Sequence, residues 1–369
     1  MRLLTKAVLL AKVLAVATAQ RSPVSLDIVS GAASQGSSNV QLTSSKYGLD
    51  APKTLPINGS SFDWWYFDVV SPDLDYSLVL VFFASTAKGL WAGTPDIGTA
   101  VFSTLGVTLP DGSALNSDAA GPELIVATVE QGSSGTLAGT GWSWVGLPHM
   151  SLYEVIIDAP ESGVQGTVTF ESTAPAHFPC ALASAGAGQP LNIGGSSFGW
   201  ANAVPDANAH VDLVINGTKV SFSGSGYHDK NWGSTSIDTV VKSWYWGHAR
   251  LGPLAVVWFD VVAPDGSEQV SSYVTRNGKV LSLSCANMTV RATGANAAWP
   301  PVHGADAPGG FHVSAFVEGE GQLEFDVTHK TVLGAEPSVS MFRWIGSVSG
   351  GFVNGERWNG SALYEAFVF

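Results

Sequence analysis

From Phe62 onward, apolar and polar residues alternate with a period of two over much of the chain. The stretches "YSLVLVFFAS" (76–85), "ELIVATVE" (123–130), "HVDLVING" (210–217), "LAVVWFDVV" (254–262) and "GQLEFDVTH" (321–329) each place a row of apolar side chains on one or both faces of an extended segment. That pattern predicts strands. In "VTRNGKVLSL" the pair Asn277-Gly278 supplies two left-handed residues and predicts a tight hairpin. "PDGS" occurs at Pro110 and again at Pro264, with Pro pre-setting φ and Gly closing the turn. No long stretch carries the 3.6-residue period of a helix, and 42 Gly with 19 Pro suit many short strands. The fold class is therefore all-β.

Composition refines this picture. A 45% hydrophobic and 13% charged chain of 369 residues is a folded protein with a large core. A net charge of −13 with no basic stripe argues against nucleic acid as a partner. The start, "MRLLTKAVLLAKVLAVATAQ", combines a basic head, an apolar run and the small residues Ala17-Thr18-Ala19, the marks of a secretory signal. No later run reaches the ~20 apolar residues of a membrane-spanning helix, so stable membrane insertion is not expected.

The expected plan is a signal peptide over 1–19, a Ser/Gly/Ala-rich lead-in over 20–56, one β domain over 57–222 and a second over 223–369. Residues 175–209, low in charge, read as a surface cover near the junction. Sequons at Asn58, Asn216, Asn287 and Asn359 are consistent with passage through the secretory lumen to a secreted or vesicular destination. Cys180 and Cys285 are then expected to pair as a disulfide; the alternative is two buried free thiols.

Three stretches concentrate chemistry. In "FDWWYFDVV" (62–70), alternation puts Asp63, Trp65 and Phe67 on one side and Trp64, Tyr66 and Asp68 on the other. An aromatic beside an acid makes a pocket wall with a polar anchor, or a packed core with a capping acid. "GYHDKNWG" (226–233) sets His228 beside Asp229, a charge-assisted pair or part of a surface turn. In "WYWGHAR" (244–250), Trp244, Trp246, His248 and Arg250 share one face. Those residues suit clamping a flat ligand and polarising a carbonyl or phenolate oxygen; the alternative is an outward, solvated face. "SMFRWIG" (340–346) puts Phe342 and Trp344 on one face and Arg343 on the other. No H-E-x-x-H, G-x-S-x-G or Gly-rich phosphate loop occurs.

"FDWWYFD", "GYHDKNWG" and "WYWGHARLGP" together resemble the hydroxyneurosporene synthase (carotenoid hydratase)-like, lipocalin-like superfamily, whose fungal members include Diels–Alderases. The resemblance implies two β domains, the second a lipocalin-like barrel, with an apolar pocket between or within them. It implies neither metal nor organic cofactor, and apolar polyketide or terpene substrates. By motif position it implies acid/base roles for His228, Asp229, His248 and Asp260. With the alternation argument, His248 and Arg250 become the first donors to examine. Trp65, Asp68, Trp232, Trp246, Trp258, Phe342 and Trp344 become the expected pocket.

The expected reaction is a hetero-Diels–Alder cycloaddition in secondary metabolism, joining a tropolone-derived o-quinone methide to a terpene alkene. It would proceed by holding the reactants in near-attack geometry. The alternatives are a hydratase or dehydratase acting on an isoprenoid, and a secreted carrier of apolar small molecules.

Overall fold

In the computed structural model, which describes residues 24–193, 197–336 and 339–369, the alternating segments form strands paired antiparallel throughout two large sheets. The expected signal peptide lies outside the described residues. Helix is confined to short turns such as Ala87–Leu90 and Ile237–Val240 among the described residues.

The first sheet has twelve strands, with Val24–Ser30 at one edge and Ala114–Ala120 at the other. Its concave face is packed with aromatic and aliphatic side chains, including Trp65, Phe67, Phe82, Trp144, Tyr153 and Trp232. The second sheet has nine strands, from Lys279–Ser284 to Met288–Thr293. It curls round a core containing Trp258, Phe311, Trp344 and Tyr364. A third apolar cluster, with Trp64, Tyr66, Trp244, Trp246 and Phe259, lies where the two sheets meet.

The strand Thr218–Gly233 pairs along its length with Phe198–Ile215 and, over its second half, with Phe62–Val70. The expected domain boundary at 222/223 therefore cuts through a strand, and the sheets part over residues 234–242 instead. The expected lead-in is also corrected. Val24–Ser30 pairs over its whole length with Glu123–Val129, and Asp50 and Lys53 are buried beneath the first sheet. The Asn277-Gly278 hairpin forms as expected, with φ of 49° and 77°.

Cys180 and Cys285 form a disulfide, with their Cα atoms 5.3 Å apart. It ties the cover that precedes Phe198–Ile215 to the end of Lys279–Ser284 in the second sheet. The bond closes a separation of 105 residues, so replacing both cysteines with Ser should lower unfolding free energy by about 2–4 kcal/mol. Denaturant titration of the double variant checks this.

Asn216, Asn287 and Asn359 are exposed. Asn58 is half-buried, its Oδ1 accepting from the Ser60 and Ser61 N–H groups and its Nδ2 donating to the Gly36 carbonyl.

Candidate active site

One strand determines the site. Along 226–233, both faces of Thr218–Gly233 are buried, because a sheet lies on either side. Tyr227, Asp229 and Asn231 point toward the second sheet, while His228, Lys230 and Trp232 point into the first sheet's concave core. Phe62–Val70 beside it splits the same way, with Trp64, Tyr66 and Asp68 on the inter-sheet side.

Between the sheets is a cleft with roughly 510 Å³ of empty space, counting its open mouth. Trp64 and Tyr66 line it from Phe62–Val70, and Asp229 and Asn231 from Thr218–Gly233. Trp244 and Trp246 (Ser243–Leu251), Arg343 (Met341–Phe352) and Glu365 (Arg357–Val368) complete the opposite wall, and Trp91 lies among the other aromatic lining residues.

Asp229 is the central group. Both of its protein hydrogen bonds fall on Oδ2, from the Trp200 indole N–H at 2.8 Å and the Tyr227 hydroxyl at 2.7 Å. Burial pushes its carboxyl up to about 7, against the pull of those two donors and of His228. With Oδ2 occupied by two donors, the acid's proton belongs on Oδ1. At neutral pH the carboxyl is poised to give or take a proton.

Across the cleft, the Arg343 guanidinium donates through Nε at 2.8 Å and Nη2 at 2.6 Å to Glu365 Oε2, while the Trp244 indole donates to Oε1 at 3.1 Å. This fixes the guanidinium, and among the described residues no hydrogen bond engages Nη1, which leaves it for a guest oxygen. The Tyr66 hydroxyl is buried without a hydrogen-bond partner, and burial with the nearby Asp68 keeps it a neutral phenol. Its ring meets Trp246 edge-on at 5.4 Å.

The structure places the expected residues as follows. Asp229 and Trp246 line the cleft. His248 and Asp68 sit just behind it as a buried pair, Nε2 to Oδ1 at 2.8 Å, with the imidazole stacked on Tyr227 at 4.6 Å. His228 does not pair with Asp229, because neighbours on a strand face opposite ways. It points into the first sheet's core, with Nε2 3.2 Å from Asp50 Oδ2 and Nδ1 2.8 Å from the Tyr66 carbonyl oxygen.

Arg250 shares a face with Trp246, but at the strand's outer end it grips Asp206 through Nε at 2.7 Å and Nη2 at 3.0 Å. It joins the two sheets rather than touching a guest. Arg250→Ala should leave kcat within about threefold and cost about 1 kcal/mol or less, since the pair is partly solvated. Steady-state rates and a thermal melt check both.

Asp260 is also corrected. Its Oδ2 accepts from the Val290 N–H and from Arg291, each at 3.2 Å, and so bridges to the edge strand where the second sheet curls toward closure. Burial and Glu268 push it up to about 8, but it lies on the strand face opposite its neighbour Phe259, which lines the cleft. Trp65 and Trp232 are core of the first sheet, with indoles donating to the Asp50 and Gln41 carbonyls. Trp258 and Trp344 fill the second sheet's interior, and Phe342 stacks on Trp344 at 5.6 Å.

Sequence reasoning missed Trp64, Tyr66, Asn231, Arg343 and Glu365 as expected site residues, while Trp244 lines the cleft from the row it shares with Trp246. Four of them, Trp64, Tyr66, Asn231 and Arg343, are sequence neighbours of residues that were chosen, and alternation had already put Trp64, Tyr66 and Arg343 on the face opposite those neighbours. Among the described residues, no group of three or more His, Cys, Asp or Glu side chains could hold a metal ion.

The signature of a family described as Diels-Alderase-like matches residues 27–369. The quinolone epoxide rearrangement protein penF of Penicillium thymicola is 37% identical over 89% of this chain and 91% of its own length. The corresponding protein asqO of Emericella nidulans is 35% identical over 90% and 91%. The Diels-Alderase cheD of Chaetomium globosum is 25% identical over 63% of this chain and 54% of its own. In fold, the crystal structure of CghA superposes with a TM-score of 0.76 at 18% identity, covering 93% of this chain and 98% of that one.

Proposed function

The chain belongs to the Diels-Alderase-like family and is an enzyme of the cyclase or rearrangement type, and from that premise we propose that it isomerises an epoxide on a flat, quinolone-like secondary metabolite. The observation that carries this reading is the Asp229 carboxyl, buried among indoles with Oδ1 left for a guest. The likeness in sequence to two quinolone epoxide rearrangement proteins over some nine-tenths of each chain supports it.

Asp229 Oδ1 gives its proton to the epoxide oxygen as one C–O bond breaks. The electron-deficient carbon is then satisfied by a 1,2-shift or by an internal nucleophile, and the proton released returns to Asp229. Nothing is added and nothing leaves. The faces of Trp64, Tyr66 and Trp246 stabilise the developing cation, and the dry cleft strengthens that attraction. Arg343 Nη1 holds a carbonyl oxygen and orients the ring. The aromatic walls exclude water, which would otherwise open the epoxide to a diol.

An epoxide-bearing quinolone incubated in ¹⁸O-water should give a product of unchanged mass with no label. Label uptake would instead indicate a hydratase. Tight binding of the epoxide without turnover would indicate a carrier. Because the acid form of Asp229 is required, kcat/KM should fall about tenfold per pH unit above about 7.

The cycloaddition of an o-quinone methide to a terpene alkene is the second reading. It is favoured by Arg343, whose free Nη1 would polarise the oxygen of a heterodiene between apolar walls. The Cys180–Cys285 bond and the exposed sequons at Asn216, Asn287 and Asn359 support a secretory-lumen location. Glycosidase treatment of the native protein should increase its gel mobility.

A further inference from the structure

Residues 173–186 cross from the first sheet onto the second as a strap, and the reaction as described leaves them no role. The strap is nevertheless anchored at many points. The Tyr273 hydroxyl donates to the Pro175 carbonyl at 2.7 Å, and the Ser271 hydroxyl donates to the Pro179 carbonyl at 2.5 Å. The Cys180–Cys285 bond fixes it covalently. His177 within it is fully buried and exchanges both backbone hydrogen bonds with Asn202 at 3.0 Å.

The His177 ring lies flat on Tyr273 at 4.3 Å and meets Trp200 edge-on at 5.2 Å. Its Nδ1 donates to the Phe178 carbonyl, and among the described residues the buried Nε2 makes no hydrogen bond within normal distance, its nearest polar influence being the Asn202 side chain. Burial pushes the imidazole down to about 4, so it is neutral at working pH. A neutral ring stacked between aromatic side chains is packing material. What it packs is Trp200, fully buried, whose indole N–H holds Asp229 Oδ2.

We propose that the strap, pinned by Cys180–Cys285, acts through His177 and Trp200 to keep the Asp229 carboxyl out of water, which makes His177 a positioning residue and the disulfide a redox-sensitive pin. This rests on Asp229 being the acid. The groups facing Asp229 are Tyr227 on its own strand, Trp200 from Phe198–Ile215, and the Glu365–Arg343 pair across the cleft, with His248–Asp68 behind Tyr227; His228 acts on it by charge from the strand's far face.

Of these influences on Asp229, burial is the largest. Lifting the strap hydrates the carboxyl, so its acid form should be lost at lower pH. Removing the Trp200 N–H alone does the reverse, because that bond favours the carboxylate.

The test compares the wild type, His177→Ala, Trp200→Phe and the wild type opened by a dithiol. In the last, the dithiol is oxidised to its own disulfide as the two cysteine thiols form. The descending limb of the pH–kcat profile is read for each, with circular dichroism confirming the fold. His177→Ala and the reduced protein should show the limb moved down, so that kcat drops several-fold at pH 7 and recovers near about pH 5.5. Trp200→Phe should move it up.

A loss of kcat that is uniform across pH in His177→Ala would overturn the proposal, since it would show a structural role alone. An unmoved limb on reduction would overturn the role of the disulfide. If the wild type has no limb near neutrality and Asp229→Asn turns over normally, the acid reading itself fails, which is a separate outcome.

Discussion

Asp229→Asn should lower kcat by about 10²- to 10⁴-fold with little change in KM, the range expected when a positioned acid is removed. The amide is nearly isosteric and still offers an oxygen to the Trp200 and Tyr227 donors, so the cleft keeps its shape. It also removes a carboxyl that burial penalises, so the variant should be at least as stable as the wild type. The remaining activity should lose the descending limb near pH 7. A rearrangement assay across pH, run beside a thermal melt, reads all three. Asp229→Asn with full kcat would remove the acid from the mechanism.

The residue next to it should behave in the opposite way. Lys230→Met should lower stability by about 3–5 kcal/mol, the cost of leaving a buried charge unpaired. Lys230 is fully buried on the far face of the same strand, with Nζ 2.6 Å from Asp63 Oδ1, 2.9 Å from the Ala51 carbonyl oxygen and 4.1 Å from the Trp65 ring centroid. Burial pushes Asp63 up and Lys230 down, each against the attraction of its partner.

Without the ammonium, Asp63 must take up a proton or remain charged in an apolar core. Changing Asp63 to Asn in the same background keeps an acceptor for the Lys53 N–H and should recover about 1–2 kcal/mol. The turnover of folded Lys230→Met should stay within about threefold, because no atom of Lys230 reaches the cleft. Equilibrium denaturation with active-site titration separates the two effects. A Lys230→Met protein that is stable but inactive would contradict the division of faces.

These two neighbours also show what was legible in the sequence. Period-two alternation assigned Trp64, Tyr66 and Asp68 to one face and Asp63, Trp65 and Phe67 to the other, and it grouped Trp244, Trp246 and His248 correctly. It could not say which face meets a void. Both faces of 62–70 and 226–233 are buried, so hydrophobicity carries no preference between them. Trp65 and Trp232 were therefore chosen where Trp64 and Asp229's neighbour Asn231 line the cleft.

The domain boundary failed for a related reason. Thr218–Gly233 changes texture midway, from alternating exposed and buried residues to residues buried throughout, where the second sheet begins to cover it. That change looks like a new unit but is one strand passing under a neighbour. Asp50 and Lys53 were invisible because their burial depends on a Ser/Gly-rich segment docking far along the chain. Arg250 and Asp260 show the limit of motif position, since each is a strong polar residue on a pocket-bearing strand and each holds strands or sheets together.

The chain passes between the sheets at residues 234–242, and the disulfide joins them a second time through the cover. A parting of the halves would have to work against both connections at once, which favours guest exchange through the mouth the cleft already has.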